Sequence, residues 1–243
     1  MGCGGGGAKP NGVEKQTPKQ ILASVSAALG RVHSFHLAGT FTDKDGDSTV
    51  DGDVVLPGQV RLNIKNGARS ADVVVAGDSA YLRGNKAFYE SLGGNSARVA
   101  ALLAGKWIKT PVSKAGFDEF LVIADPALIG RCMIGTHLGT LSKVGTDEVD
   151  GKPTVVIEDK GNTPGGSPGK AYIATKGDPL PLRVTQTGPE TPGGTPDKQC
   201  KESRDTSDQS ASDLRLSDWN KDIEIEVPKD AIDPSQLTPA TAA

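Results

Sequence analysis

Aromatic residues make up only 4% of the 243-residue sequence, and hydrophobic residues only 36%. Long apolar runs are missing: the strongest, Val73-Val74-Val75-Ala76, falls far short of the roughly 18 residues that a membrane-spanning helix needs. Continuous Val/Ile/Leu runs of the kind that fill a buried parallel sheet are absent too, which excludes that architecture. Charge of one sign is not concentrated anywhere. The 27 basic and 30 acidic residues leave a net charge of −3 and are interspersed, so no basic face points to a nucleic-acid partner and no Lys/Arg block to anionic lipid. Histidine is scarce at three residues, which limits catalytic and metal chemistry from the start.

What the chain has in quantity is glycine and proline: 31 and 16 residues, roughly a fifth of the total where average usage is nearer an eighth. So many helix breakers exclude an all-helical bundle. Many short strands joined by Gly/Pro turns remain, and the length suits one large β-rich domain.

The first residues, Met1-Gly2-Cys3-Gly4-Gly5-Gly6-Gly7, form a glycine run with one cysteine. A Gly-Cys pair opening a structureless tether resembles a bacterial lipoprotein junction, where a signal peptide is removed and the cysteine is acylated. No charged or apolar signal segment precedes Cys3, so on this reading the signal is already gone. A flexible start in which Cys3 has no role is the other reading. A phosphate loop fits worse, since no Gly-Lys-Ser/Thr follows. Setting Cys3 aside leaves Cys132 and Cys200, an even pair without metal-ligand spacing. One disulfide in an oxidising compartment is expected of them, and two buried free thiols are the alternative.

Residues 1–16 read as a tether, 17–227 as a single domain and 228–243 as a Pro/Ala/Thr tail. Thr17-Pro18-Lys19-Gln20 is a strong helix start, and Ile21, Leu22, Val25, Leu29 and Val32 follow at helical spacing to about His33. Alternation then takes over. Phe35, Leu37, Gly39 and Phe41 share one direction, and turns at Asp45-Gly46, Pro57-Gly58, Asn66-Gly67 and Gly77-Asp78 divide an antiparallel meander ending near Arg83. The middle is helical in pieces: 96–104, 117–124 and 126–133, with an extended segment at Lys106–Lys109. Strands resume over 136–143, 153–158, 170–174, 182–187 and 212–219. Between them lie two near-copies of one stretch, Thr163–Pro168 and Thr191–Pro196, read as loops. Residues 197–211 are polar and read as mobile.

That order is α+β: a large curved antiparallel sheet, or half-barrel, with helices packed on its concave face. With so few bulky side chains, the concave face is where an apolar cavity is expected. Catalytic signatures are missing: no Gly-x-Ser-x-Gly, His-Glu-x-x-His or Ser-x-x-Lys occurs, and the protein is read as no enzyme. His33 and His36 read as surface or capping residues, and His137 as the start of a strand. Asp43, Asp45, Asp47, Asp51 and Asp53 lack the spacing of a calcium loop and read as a solvated hairpin tip. Trp107, between Lys106 and Lys109, reads as a core anchor, with a membrane- or ligand-facing role as the other possibility. No metal or cofactor is expected.

The Gly-Cys tether, the helix running into Ser34–Phe41, the segments Val74–Ala80 and Tyr81-Leu82-Arg83-Gly84, Gly105–Lys109 and the cysteine-bracketed second meander together resemble the actinobacterial LppX/LprG-type lipoproteins. More distantly they resemble the LolA/LolB lipoprotein-localisation fold. The resemblance spans roughly residues 17–230 and carries no catalytic signature. It implies a half-open barrel with a helical lid over an apolar cavity that holds acyl chains. The implied function is non-enzymatic: binding a lipid or acylated glycolipid and carrying it between membrane and envelope. Val25, Leu29, Phe41, Val54, Leu62 and Val75 are then the expected lining residues, or equally the filling of a solid core. Cys3 is the expected lipidation site, giving a monomer anchored outside the cytoplasm. A membrane-anchored protein-binding or sensory module is the alternative on the same scaffold.

Overall fold

The computed structural model of the chain describes residues 8–92, 97–115, 118–195, 197–200 and 209–233. Cys3 and the glycine run, 201–208 and 234–243 lie outside the described residues.

Helix α1 (Pro18–Leu29) begins as its sequence dictates. The Thr17 hydroxyl accepts from the Gln20 amide, the Gln20 side chain accepts from the Thr17 amide, and Pro18 sits at the first helical position. Ile21, Val25, Ala28 and Leu29 form its buried face. The helix stops at Leu29 rather than His33, because Gly30 caps it and Ser34 already begins the first strand.

The first meander is β1 (Ser34–Asp43), β2 (Gly46–Val55), β3 (Gln59–Asn66), β4 (Arg69–Ala76) and β5 (Ser79–Gly84), each paired antiparallel with the next. A helix not expected from the sequence follows, α2 (Lys86–Ser91), whose cap Asn85 accepts from the Phe88 amide at 2.8 Å. Then come α3 (Ala97–Leu103), the edge strand β6 (Ile108–Pro111), and α4 (Val112–Ala115), α5 (Asp118–Ile123) and α6 (Ile129–Cys132). The second meander is β7 (Leu141–Val149), β8 (Lys152–Asp159), β9 (Gly169–Ala174), β10 (Pro181–Gln186) and β11 (Ala211–Ser217). Residues 136–140 are a loop, so His137 precedes β7 instead of starting it.

Among the described residues eleven strands join one open sheet in the order β6-β5-β4-β3-β2-β1-β11-β10-β9-β8-β7. The first and last strands, β1 and β11, pair antiparallel and fuse the two meanders. This is the expected α+β fold, a curved antiparallel sheet with helices on its concave face. Gly39 and Gly52 let the central strands coil tightly. A Cβ at Gly52 would stand 2.0 Å from the Arg61 carbonyl oxygen, and one at Gly39 would stand 2.0 Å from that of Asp213.

Both ends of the folded chain reach further than composition suggests. Pro10 bridges Lys176, and Val13 is buried in the main core, so packing begins well before residue 17. At the other end Ile232 pairs with β6: the Lys109 amide donates to its carbonyl and its own amide to that of Trp107, both at 2.8 Å. Residues 223–232 thereby strap the convex face, where Ile225 packs with Val74, Tyr81 and Trp107. Trp107 is a core anchor there, with the Arg83 guanidinium 4.7 Å from its ring centre.

Candidate functional site

Strand pairing sorts the concave face into rows, because directly opposed residues in antiparallel strands point the same way. The deep rows are core: Phe35, Val54, Val60 and Val75 in one, Leu216, Leu37, Leu62 and Val73 in the next. All are buried in one cluster with the inner face of α1, Val73 at its border with a pocket. One row outward, Ile64, Val50, Gly39, Leu214, Val184 and Ala171 are paired in sequence across six strands. All of these are only partly buried. Outward again comes a rim: Arg69, Asn66, Ser48, Phe41, Ser212, Gln186, Gly169 and Asp159. The concave face therefore grades from sealed core, through an accessible apolar band, to a polar margin with one aromatic ring.

The rim is fixed by its own bonds. Asn66 donates to the Ser48 hydroxyl at 2.8 Å, Gln186 donates to the carbonyls of Gly188 and Gln209, and Asp159 accepts the amides of Gly139 and Gly161. Two pockets open on the accessible band. One, of about 270 Å³, lies over β7–β10 and is walled by Leu22 of α1, the 134–138 loop and the first Pro-Gly-Gly stretch. The other, of about 340 Å³, lies over β3–β5 beneath α2, with Ile64, Val73, Leu82, Phe88 and Leu92 in its wall. The first volume falls just below, and the second at the small end of, the roughly 300–1,000 Å³ typical of ligand sites.

The loop that walls the first pocket, and helix α6 that leads into it, are stapled in three places. A disulfide joins Cys132 to Cys200, as expected, and Arg131 beside it donates to Asp197 and, at 2.6 Å, to Gln199. Residues 197–200 are thus held in place, whereas the sequence suggested mobility. Helix α6 lies close on α1 through Gly130, where a Cβ would stand 2.7 Å from the Ser26 carbonyl oxygen. His137 packs beneath Gly165 and Gly166, and a Cβ at Gly165 would meet its ring at 2.9 Å.

The charged groups lie mainly on the other, convex face. Asp51 and Asp53 are inside β2, not at a hairpin tip, and Asp53 is largely buried with His36 at 2.9 Å and Arg61 in direct contact. Burial pushes the Asp53 carboxyl up, but hydrogen bonds from His36 and Arg61 outweigh it and hold the group below its ordinary value of 3.8. Arg183 clamps Asp213 with two bonds of 2.7 and 2.5 Å, which lowers the Asp213 carboxyl and raises the guanidinium. Among the described residues no group of three or more His, Cys, Asp or Glu side chains is placed to hold a metal ion.

Of the six expected lining residues, Val25, Leu29, Val54, Leu62 and Val75 all lie in the main core with the helix-covered face, and none borders either concave pocket. Phe41 stands on the rim. The positions that do reach the accessible band lie two or four residues along the same alternation, such as Ile64 after Leu62 and Val50 before Val54. Val184, Leu214 and Ala171 belong to the second meander. Their alternation was readable, but the pairing of β11 with β1 that brings them opposite the first meander was not.

No protein-family model matches the chain, and no curated protein matches it. Solved structures do. LprF from Mycobacterium bovis is 18% identical over 88% of this chain and 99% of its own, with a TM-score of 0.52. The Mycobacterium tuberculosis lipoprotein LppX is 17% identical over 86% of this chain and 99% of its own, with a TM-score of 0.53.

Proposed function

We propose that this chain, which has the LppX/LprG-type LolA-like fold, is a cell-envelope lipoprotein that holds an acyl chain against its concave face. On this reading it carries a lipid or acylated glycolipid between membrane and envelope. The observation that supports it is the accessible apolar band, Ile64-Val50-Gly39-Leu214-Val184-Ala171, leading between two pockets on a helix-covered sheet. Alkyl burial there supplies about 0.8 kcal/mol per CH₂, so affinity rises with chain length while discrimination between similar chains stays modest. The polar margin suits a headgroup kept at the water boundary, and acylation of Cys3 would supply the anchor. No helix among the described residues is long and apolar enough to cross a membrane.

Organic extraction of protein purified from a bacterial envelope, followed by mass spectrometry, tests the reading. A stoichiometric acyl lipid is expected; extracts free of lipid from protein that also refuses alkyl probes contradict it.

A further inference from the structure

Six large hydrophobic side chains are exposed among the described residues, and three of them, Leu92, Val99 and Leu102, lie within one short stretch around α2 and α3. Val99 and Leu102 are three apart on a helix whose buried side is marked by Ala100, so they share the outward face. Leu102 is 58% exposed and Leu92 55% exposed, values that leave large apolar area in water at a single place. Arg98 and Lys106 are exposed on and just beyond α3, with no acid in the α3 stretch itself; Lys86 is paired with Glu90 on α2, and Asp43, Asp45 and Arg69 border the second pocket.

The position of this patch in the fold matters as much as its chemistry. Helix α2 leaves β5 at Gly84, opposite Ala71, next to the rim row, and Phe88 and Leu92 border the second concave pocket. The folded chain enters at the opposite end of the sheet, where Pro10 bridges Lys176 beyond the far end of β9. Leu92 of the patch thus borders the pocket, α3 packs on α2 beside it, and both lie away from where Pro10 joins the fold.

We propose that Val99 and Leu102 of α3, flanked by Arg98 and Lys106, form a docking surface for a membrane rich in anionic headgroups. The leucine and valine enter the headgroup–acyl boundary while the basic side chains stay at the phosphate level. A lipid leaving or entering the second pocket then crosses little water. The proposal deepens the lipid-carrier reading and can be separated from it by experiment.

Flotation of the protein with vesicles of phosphatidylcholine, with and without phosphatidylglycerol, tests it, with binding of a fluorescent alkyl probe measured in parallel. The wild type is expected to float with the anionic vesicles and far less with the neutral ones. Leu102→Asp should weaken that binding at least about tenfold, and Arg98→Glu with Lys106→Glu about fivefold or more per charge. Probe binding should survive in all of these variants. Val144→Asp, at another exposed apolar position on β7, should float like the wild type. The proposal is overturned if the wild type ignores anionic vesicles, if both patch variants float unchanged, or if Val144→Asp loses as much as Leu102→Asp. Concentration-dependent dimerisation abolished by Leu102→Asp, without flotation, would assign the patch to a second copy instead. Flotation without any probe binding keeps the docking surface and removes the carrier reading.

Discussion

Gly165 and Thr191 tie the two Thr-Pro-Gly-Gly stretches together: the Gly165 amide donates to the Thr191 carbonyl at 2.8 Å, and the Thr191 amide returns a bond of 2.8 Å to Gly166. The near-repeat is thus a paired clasp beside the first concave pocket rather than two independent loops. A Cβ at Gly194 would stand 2.3 Å from the Gly165 Cα. Gly194→Ala is therefore expected to cost about 1–3 kcal/mol by overpacking, read as a lower urea midpoint, and to weaken alkyl-probe binding by displacing the pocket wall. An unchanged midpoint would show that the clasp opens freely.

The rows of the concave face predict opposite outcomes for similar substitutions. Val54→Asp places a carboxylate in sealed core and should prevent folding or cost several kcal/mol, about the price of an unpaired buried charge. Val184→Asp and Leu214→Asp lie in the accessible band and should leave a folded protein with at least about tenfold weaker alkyl binding. Circular dichroism and probe titration on the three variants separate the two roles.

The Cys132–Cys200 bridge closes a long loop, with a sequence separation of 68. On the chain-entropy account its loss lowers stability by about 4 kcal/mol. The double variant Cys132→Ser, Cys200→Ser should show that loss in urea unfolding, and reductant should have no further effect on it. Faster amide exchange over 129–138, α6 and the loop after it that walls the first pocket, should accompany it.

Asp53 predicts an acid-side dependence. Its carboxyl is held below 3.8 in the folded protein, so the stability it contributes is complete above its unfolded value and disappears as pH falls through the folded one. Asp53→Asn is expected to cost about 1–2 kcal/mol at neutral pH. Its deficit relative to the wild type should shrink as pH falls below about 4. A deficit constant with pH would mean that the His36 and Arg61 contacts do not depend on charge.

Much of this fold could be read from local chemistry. Thr17, Pro18 and Gln20 fix the helix start, the turn glycines space the first meander, and the even cysteine pair points to the disulfide. What local patterns did not reveal depends on distant partners. Val13 looks like part of a tether until Pro10 meets Lys176, and Ile232 looks like tail until β6 offers its backbone. The same limit governed the site. Alternation placed Val54, Leu62 and Val75 on the right face, but depth within that face is set by where α1 lies and by the β1–β11 join. Asn85 ahead of Lys86 was a usable cap signal for α2, masked by the short helix that follows it.

Photolabelling with a diazirine-bearing fatty acid, mapped by peptide mass spectrometry, tests most directly whether the concave face holds an acyl chain. Labels are expected in the peptides of β2, β3, β10 and β11 that carry Val50, Ile64, Val184 and Leu214, and an excess of unlabelled fatty acid should compete them away. Labelling confined to the α3 surface, or spread without competition, would contradict an acyl-binding concave face.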